Sequence, residues 1–181
     1  MAVVRHSYTY SDLADMPDDG QRYEIVDGDL VVSPSPTPRH QFIVVKLVQF
    51  LSQAEFGGFG RVAVAPLDVV LDAHNVAQPD VLFITTSRLD IVTDRHVQGA
   101  PDLVVEVLSP TTRSHDLGTK LRLYAQYGVI SYWIVDPEAQ TVGTYDLHDS
   151  EYTSSPSLTV DDLLSSPLFP GITIAVRDLF V

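Results

Sequence analysis

The chain contains no cysteine, which excludes disulfide bonds, cysteine-ligated zinc and a thiol nucleophile. It also lacks a run of about 18 apolar residues, the length that a helix needs to cross a bilayer. The most apolar helical stretch, residues 42–51, is interrupted by Lys46 and Gln49. The first residues lack the long apolar stretch of a secretory signal. We therefore expect no membrane span and a cytoplasmic location.

Positive charge is scarce, since 11 Lys and Arg residues stand against 24 Asp and Glu residues and leave a net charge of −13. This balance argues weakly against broad, non-specific binding of nucleic acid. It does not exclude a local basic cleft, and a protein that holds divalent cations needs carboxylates. Hydrophobic residues make up 45% of the 181 residues, as in ordinary globular proteins. We expect one domain, residues 1–181, without internal repeats.

Two common catalytic signatures are missing from the sequence. There is neither a glycine-rich phosphate loop nor a Gly-x-Ser-x-Gly elbow, which argues against common nucleotide-binding and hydrolase classes. The six histidines are scattered, and none of them has the short spacing typical of a pair of metal ligands.

The first half of the chain predicts two hairpins and a long helix. Asp27-Gly28 lies between two short apolar runs and suits a tight primed turn. Apolar residues recur at helical spacing over residues 39–53. Two valine-rich runs, residues 61–71 and 76–84, flank a turn and predict the second hairpin. A short helix over residues 7–16, capped by Ser11 or Asp12, is predicted to precede these elements.

The second half predicts a βαβ unit. Residues 103–108 are apolar except for Glu106, which is typical of a central strand covered on both faces. Residues 114–127 predict a helix with Leu117, Leu121 and Tyr124 on one side, and residues 131–135 predict a parallel strand after it. Residues 141–147 are predicted to pair with that strand, residues 152–157 to form a surface loop, and residues 172–176 to form the last strand. The fold class expected is α/β, with helices packed on a mixed sheet.

Glu106 is the most informative residue of the sequence. A carboxylate within an apolar strand costs several kcal/mol unless it is paired, protonated or bound to a metal. The simplest alternative to a functional role is a buried ion pair with an arginine or a lysine.

Asp80 is the second acidic residue in an apolar context. It follows Pro79, which removes a ladder donor and favours an edge or a bulge that aims a side chain into a site. The alternative is an aspartate that binds only backbone amides. Asp102 competes as a partner of Glu106, but four residues of strand span roughly 13 Å, too far for oxygens that each lie about 2.1 Å from one magnesium ion. We therefore interpret Asp102 as structural.

Lys120 supplies a possible cation for the same site. It is spaced at i, i+4 from Asp116, which by itself indicates a surface ion pair on a helix. The functional alternative places Lys120 beside Tyr124, from where it could reach over Glu106.

Short motifs in this order resemble a known family over nearly the whole chain. They are residues 23–28 (Tyr-Glu-Ile-Val-Asp-Gly), 78–81 (Gln-Pro-Asp-Val), 101–110 (Pro-Asp-Leu-Val-Val-Glu-Val-Leu-Ser-Pro), Asp116, Lys120, Tyr124, Gly128-Val129, 132–137 (Tyr-Trp-Ile-Val-Asp-Pro) and Phe169-Pro170-Gly171. Together they resemble the Uma-type family of predicted restriction endonucleases, in the PD-(D/E)XK nuclease superfamily. The resemblance implies a restriction-endonuclease-like α/β fold with a mixed sheet flanked by helices.

The resemblance also implies an active site. Asp80 and Glu106 would be the two acids that hold Mg²⁺ or Mn²⁺, and Glu24 would add a third carboxylate. The lysine of the superfamily usually lies two residues after the second acid, where this chain has Leu108. Some members carry it on a neighbouring helix instead, and Lys120 matches that variant. His40, at the start of the first long helix, could also face the cleft, and the alternative is a histidine whose hydrogen bonds are satisfied at the helix start.

The function implied is metal-assisted hydrolysis of phosphodiester bonds in DNA, by a protein that could act as a homodimer. One alternative is a catalytically inactive interaction module that keeps the nuclease fold, which the acidic charge and Leu108 favour. Another is a sugar- or nucleotide-handling hydrolase with a similar metal site. A basic patch near Asp80 and Glu106 would favour the nuclease, and the available cations are Arg39, Lys46, Arg113 and Arg122.

Overall fold

The protein, seen here in a computed structural model that describes residues 7–180, is built mainly from short strands. The strands are β1 (Arg22–Val26), β2 (Asp29–Ser33), β3 (Gly60–Val64), β4 (Val69–Asp72), β5 (Asn75–Ala77), β6 (Val81–Thr85), β7 (Val97–Gln98), β8 (Leu103–Val107), β9 (Ser131–Asp136), β10 (Thr141–His148), β11 (Glu151–Ser154), β12 (Leu163–Ser165) and β13 (Thr173–Ala175). The helices are α1 (Pro38–Phe56) and α2 (Leu121–Tyr127), a π-helical segment (His115–Lys120), and the 3-10 helices Tyr10–Asp15, Thr86–Ile91 and Val176–Leu179.

Two mixed sheets and one small hairpin hold these strands. The larger sheet has the order β11-β10-β9-β8-β6-β3, and the smaller sheet has the order β2-β1-β5-β4-β7, while β12 pairs with β13. Within the larger sheet β8 and β9 are parallel, as predicted for the βαβ unit, and the other neighbours are antiparallel. The expected mixed-sheet α/β fold class is thereby confirmed.

The larger sheet lies between two apolar layers. On one face, α1 packs Leu47 and Phe50 against Phe83, Val105 and Trp133. On the other face, α2 and strands of the smaller sheet form a second core, whose central members are listed here: Val69, Leu82, Val104, Leu123, Tyr124 and Tyr132. Side chains of β8 therefore alternate between the two layers, as the pleat of a strand requires. Glu106 lies two residues after Val104 and faces the α2 layer.

Two predicted long strands are each broken in two, which corrects the sequence interpretation. Residues 61–71 separate into β3 and β4, and residues 76–84 separate into β5 and β6, so that each run passes from one sheet to the other. A proline lies at both breaks, Pro66 in the first and Pro79 in the second, and proline cannot donate to a strand ladder. The two halves still pair as predicted, β3 with β6 and β4 with β5, but in different sheets.

Other elements match the predictions with smaller corrections. The Asp27-Gly28 turn has positive φ angles of 51° and 79°, as a primed hairpin turn requires. The first helix is a 3-10 helix capped at Thr9, rather than at Ser11 or Asp12. Residues 151–154 form the edge strand β11 where a surface loop was predicted. Among residues 7–180, no helix has both the length and the apolar character to cross a membrane.

Candidate active site

Asp80 and Glu106 lie side by side on neighbouring strands. Val81 on β6 pairs with Val105 on β8 at the end of the antiparallel ladder, and Asp80 directly precedes Val81 while Glu106 directly follows Val105. The backbone N–H of Val107 donates to Oδ2 of Asp80 at 2.8 Å, which links the two strands at this point. The ladder therefore brings together the two acids that the sequence placed 26 residues apart.

Asp80 is buried and ionised. Arg22 donates to its Oδ1 at 2.7 Å, and Nε2 of His40 lies 2.9 Å from its Oδ2. Burial alone would raise the pKa of this carboxyl, but the hydrogen bond and charge of His40 and the charge of Arg22 outweigh burial and lower the pKa to about 2. Asp80 therefore carries its negative charge throughout the physiological range.

The pKa of Glu106 is shifted in the opposite direction, upwards. Its Oε1 accepts hydrogen bonds from Nζ of Lys120 at 2.8 Å and from the hydroxyl of Tyr124 at 3.1 Å. Burial raises the pKa of the Glu106 carboxyl to about 8, because the attraction of Lys120 does not offset burial together with the charges of Asp80, Asp116 and Glu24. Such a perturbed carboxyl in a cleft is typical of functional sites, although structural ion pairs also produce it.

Lys120 is the cation at the centre of the cluster. Its Nζ lies 2.8 Å from Glu106, 3.0 Å from Oε1 of Glu24 and 3.7 Å from Asp116. The interpretation of Asp116 and Lys120 as a surface ion pair is wrong, because both side chains are buried. Both residues lie on the buried side of the π-helical segment, whereas Leu117, which was predicted to lie on the apolar side, is 40% exposed.

Glu24 reaches the site from β1. It is buried, and its Oε1 accepts from the backbone N–H of Gln78 at 2.7 Å in addition to the contact with Lys120. The Glu24 carboxylate thereby accepts a hydrogen bond from the first backbone N–H after the end of β5. Arg22, two residues earlier on the same strand face, binds Asp80, and the sequence interpretation missed it. The i, i+2 spacing of Arg22 and Glu24 on a predicted strand was the available signal.

Asp102 is held away from this cluster. It accepts hydrogen bonds from the backbone and hydroxyl of Thr85 and pairs with Arg88 at 2.8 Å. These partners lie at the other end of β8 and are sufficient for a buried carboxylate. The contacts agree with the structural interpretation of Asp102.

A cleft of about 390 Å³ opens onto the cluster. Five carboxylate residues line it, the fifth being Glu138 at the rim, together with Arg22, Arg39, His40 and Lys120. Arg39 binds the carbonyl of Pro137 at the rim, and Arg113 pairs nearby with Asp136 at 2.8 Å. Lys46 and Arg122, the other two cations considered from the sequence, do not line this cleft.

The donor set fits a hard divalent cation. Asp80, Glu106, Glu24 and Asp116 bring four carboxylates against the two permanent cations Lys120 and Arg22. Oxygen donors are those that Mg²⁺ prefers, and Mg²⁺ usually takes only one or two carboxylates and keeps several waters. Among residues 7–180 no three His, Asp or Glu side chains form a preformed metal cage, so the fit is to a site of that open kind. Burial is the main cause of the raised pKa of Glu106, and the charges of Asp80, Asp116 and Glu24 add to it; a bound cation would offset these charges.

Comparison with known proteins decides the family. The model of the Uma2 family, described as "Putative restriction endonuclease", matches residues 10–177. The chain belongs to the Uma2 family. The Uma2 model thus spans β1, β6, β8 and the π-helical segment, which carry the residues of the cluster.

The chain is also similar to two other proteins. This Uma2 chain is 28% identical over 131 residues to the uncharacterized protein slr1290 of Synechocystis sp., a match that covers 71% of this chain and 68% of the relative. The crystal structure of a "putative nuclease belonging to DUF820" from Anabaena variabilis superposes with a TM-score of 0.78 at 21% identity, covering 95% of this chain and 97% of the other. At that identity the likeness establishes the fold, which is the fold class predicted from the sequence.

Proposed function

We propose that this Uma2 chain is a metal-dependent endonuclease that hydrolyses phosphodiester bonds of DNA, with Asp80 and Glu106 as the ligands of Mg²⁺ or Mn²⁺. The observation that carries the proposal is the juxtaposition of Asp80, Glu106 and Lys120 at the floor of one cleft. Membership of a family described as restriction endonucleases and the fold of a relative described as a nuclease point the same way.

Each residue of the cluster has a role that its contacts suggest. A bound divalent cation would supply an activated water and stabilise negative charge on the phosphate. Asp80, ionised at all relevant pH values, would hold the ion, and Glu106 would join it once its proton is lost. Lys120 carries a positive charge beside Glu106 and would stabilise the negative charge that builds up on the phosphate. Glu24 positions Lys120 through their 3.0 Å contact.

The cleft also concentrates cations that the net charge of −13 conceals. Arg22, Arg39 and Lys120 line it, and Arg113 lies beside its rim. Carboxylates outnumber these cations in the lining, so a bound divalent ion would have to add positive charge before the cleft attracts a phosphate. With such an ion bound, the substrate would approach through this cleft.

Metal binding and cleavage should be measured together. Calorimetry with Mn²⁺ and Mg²⁺ on the wild type and Glu106→Gln tests the metal site, and supercoiled and linear DNA incubated with each protein tests the reaction. We expect micromolar to millimolar binding and DNA nicking by the wild type, and loss of both in Glu106→Gln. Glu138→Gln is the matched control, because Glu138 is an exposed carboxylate at the rim of the same cleft.

An inactive interaction module with a nuclease fold is the competing function. The engagement of both oxygens of Asp80 by Arg22, His40 and Val107, and the apolar Leu108 where the superfamily usually has lysine, favour it. Absence of metal binding in the wild type would establish this alternative and reject the nuclease. Binding without cleavage of any DNA or RNA would reject catalysis alone.

A further inference from the structure

A second cleft, of about 470 Å³, adjoins the proposed active site. Both clefts are lined by Arg22, Pro36, His40 and Asp80, so these residues form the wall between them. A volume of this size lies within the range of small-ligand sites, about 300–1,000 Å³. A group attached to a phosphodiester in the first cleft would therefore meet the second cleft directly across that wall.

The walls of the second cleft suit a flat, neutral ring. Met16 and Val44 provide apolar surface, and Tyr23 provides an aromatic ring. Arg22 is the one permanent cation among the lining residues, and Asp80 already occupies it at 2.7 Å. Phosphate suits this cleft poorly, since it would meet the carboxylates of Asp18 and Asp68, while the only permanent cation already forms an ion pair with Asp80. A nucleobase, which stacks on aromatic and apolar side chains, matches these walls.

The second cleft offers both acceptors and, among the residues that the structure describes, one unpartnered donor, Nε of Arg22, which could serve a ring nitrogen or carbonyl of a base. Nε2 of Gln78 donates to Oδ1 of Asp68 at 2.9 Å, which fixes the orientation of the amide. Oε1 of Gln78 is buried and accepts no hydrogen bond from any of residues 7–180. Asp18 adds a further carboxylate to the lining. An occupant with amino groups would supply the donors that these oxygens lack, because carboxylates and amide oxygens accept from the exocyclic amino groups of bases.

We propose that the second cleft receives a nucleobase turned out of its stack, from the strand whose phosphodiester lies at Asp80 and Glu106, and that it selects bases carrying an exocyclic amino group. This inference rests on the proposed nuclease function. It deepens that function by naming the substrate as a strand with an unpaired or extruded nucleotide. Extrusion of this kind is least costly in single-stranded or mismatched nucleic acid, which therefore forms the favoured substrate.

Free nucleosides test the second cleft without metal, phosphate or cleavage. We would titrate adenosine, inosine, cytidine and uridine into the full-length protein and follow backbone amide resonances by NMR. The expected result is a set of shifts at Met16, Tyr23 and Gln41, with dissociation constants of about 1 mM or tighter. Adenosine should bind about tenfold more tightly than inosine, and cytidine about tenfold more tightly than uridine, because each pair differs by an amino group in place of an oxo group.

Two variants separate a specific site from weak surface binding. Gln41→Trp places a bulky ring at the mouth of the second cleft and should weaken adenosine binding at least about tenfold. Gln49→Trp, an equally exposed glutamine on the same helix α1 but outside both clefts, should leave binding unchanged. Gln78→Leu should remove most of the preference for adenosine over inosine.

The outcomes distinguish this proposal from the nuclease function. Absence of shifts at the second cleft, equal binding of amino and oxo nucleosides, or binding unaffected by Gln41→Trp would overturn the base site and leave cleavage untouched. If the protein binds nucleosides but cleaves no nucleic acid, the nuclease function is overturned. The second cleft then does not hold the base of a cleaved substrate. Discriminating binding with faster cleavage of single-stranded or mismatched DNA than of paired DNA supports the proposal.

Discussion

Nζ of Lys120 lies 2.8 Å from Oε1 of Glu106, with both side chains at least 95% buried. An ionised Glu106 depends on this lysine, since a buried carboxylate without a counter-ion is strongly destabilising. Yet the pair stands among Glu24, Asp80 and Asp116, so that one lysine serves several carboxylates. The stability of the folded chain therefore depends on the charge state of this cluster.

The first prediction concerns the pH dependence of stability. The pKa of Glu106 is about 8 in the folded protein, above its ordinary value of 4.5. The unfolded chain therefore releases this proton at lower pH than the folded chain, and the contribution of Glu106 to stability is lost as pH rises from about 4.5 towards 8. Glu106→Gln cannot titrate, so its stability relative to the wild type should rise by a few kcal/mol over that window.

Urea unfolding in metal-free buffer at pH 5 and pH 8.5 measures this difference. Glu138→Gln, at an exposed position, should show no such pH-dependent gain. A constant offset between Glu106→Gln and the wild type at both pH values would contradict the raised pKa of Glu106.

The second prediction concerns competition between metal ions and protons. Because Glu106 must lose its proton to act as a ligand, Mn²⁺ affinity should rise about tenfold per pH unit between pH 6 and pH 8 and level off above. Asp80, with a pKa of about 2, contributes nothing to this slope. Calorimetric titrations in buffers of different ionisation enthalpy should also detect about one proton released per ion at pH 7. Affinity independent of pH would exclude Glu106 as a ligand.

The third prediction concerns removal of the central cation. Lys120→Met leaves Glu106 and Glu24 buried beside each other and should lower the free energy of unfolding by about 3–5 kcal/mol at pH 8. The double variant Lys120→Met, Glu106→Gln should recover a large part of that loss, because one of the uncompensated charges is gone. Chemical denaturation of the three proteins measures the coupling. Strictly additive effects of the two substitutions would show that Lys120 and Glu106 do not interact.

The fourth prediction separates Asp102 from the active site. Asp102→Asn weakens the contacts with Thr85 and Arg88 and should destabilise the protein by about 1–3 kcal/mol. Mn²⁺ binding at a temperature where the variant remains folded should equal that of the wild type. Loss of metal binding in folded Asp102→Asn would contradict the structural role of Asp102 and reopen its pairing with Glu106.

Some of the candidate site could be read from local sequence. Glu106 stands out because an apolar run of strand length leaves its carboxylate no exposed face, and Asp80 stands out because a proline precedes it in another apolar run. Strand geometry alone separated Asp102 from Glu106. Lys120 was a candidate from its place beside Tyr124, but its spacing from Asp116 is that of an ordinary surface pair, and only the family resemblance favoured the functional alternative.

Other features lay beyond local sequence because they depend on contacts between distant segments. Arg22 meets Asp80, 58 positions later in the chain, only because β1 and the end of β5 are neighbours. His40 meets Asp80 because α1 begins above the break between β5 and β6. Each of the two valine-rich runs is divided between the two sheets, because its two halves pair with different neighbouring strands. The sequence shows only the prolines at the two breaks.

The amino-acid sequence by itself determined the α/β class, the βαβ unit and the presence of two acids in apolar surroundings, because periodicity, turn residues and burial costs act over a few residues. The tertiary structure decided which oxygens meet which cations and which carboxyl keeps its proton. The register of β6 against β8 sets Asp80 beside Glu106, and the π-helical segment buries Lys120 beside Glu106. Electrostatic interactions in a buried site depend on separations of a few ångströms, which only the packed fold defines.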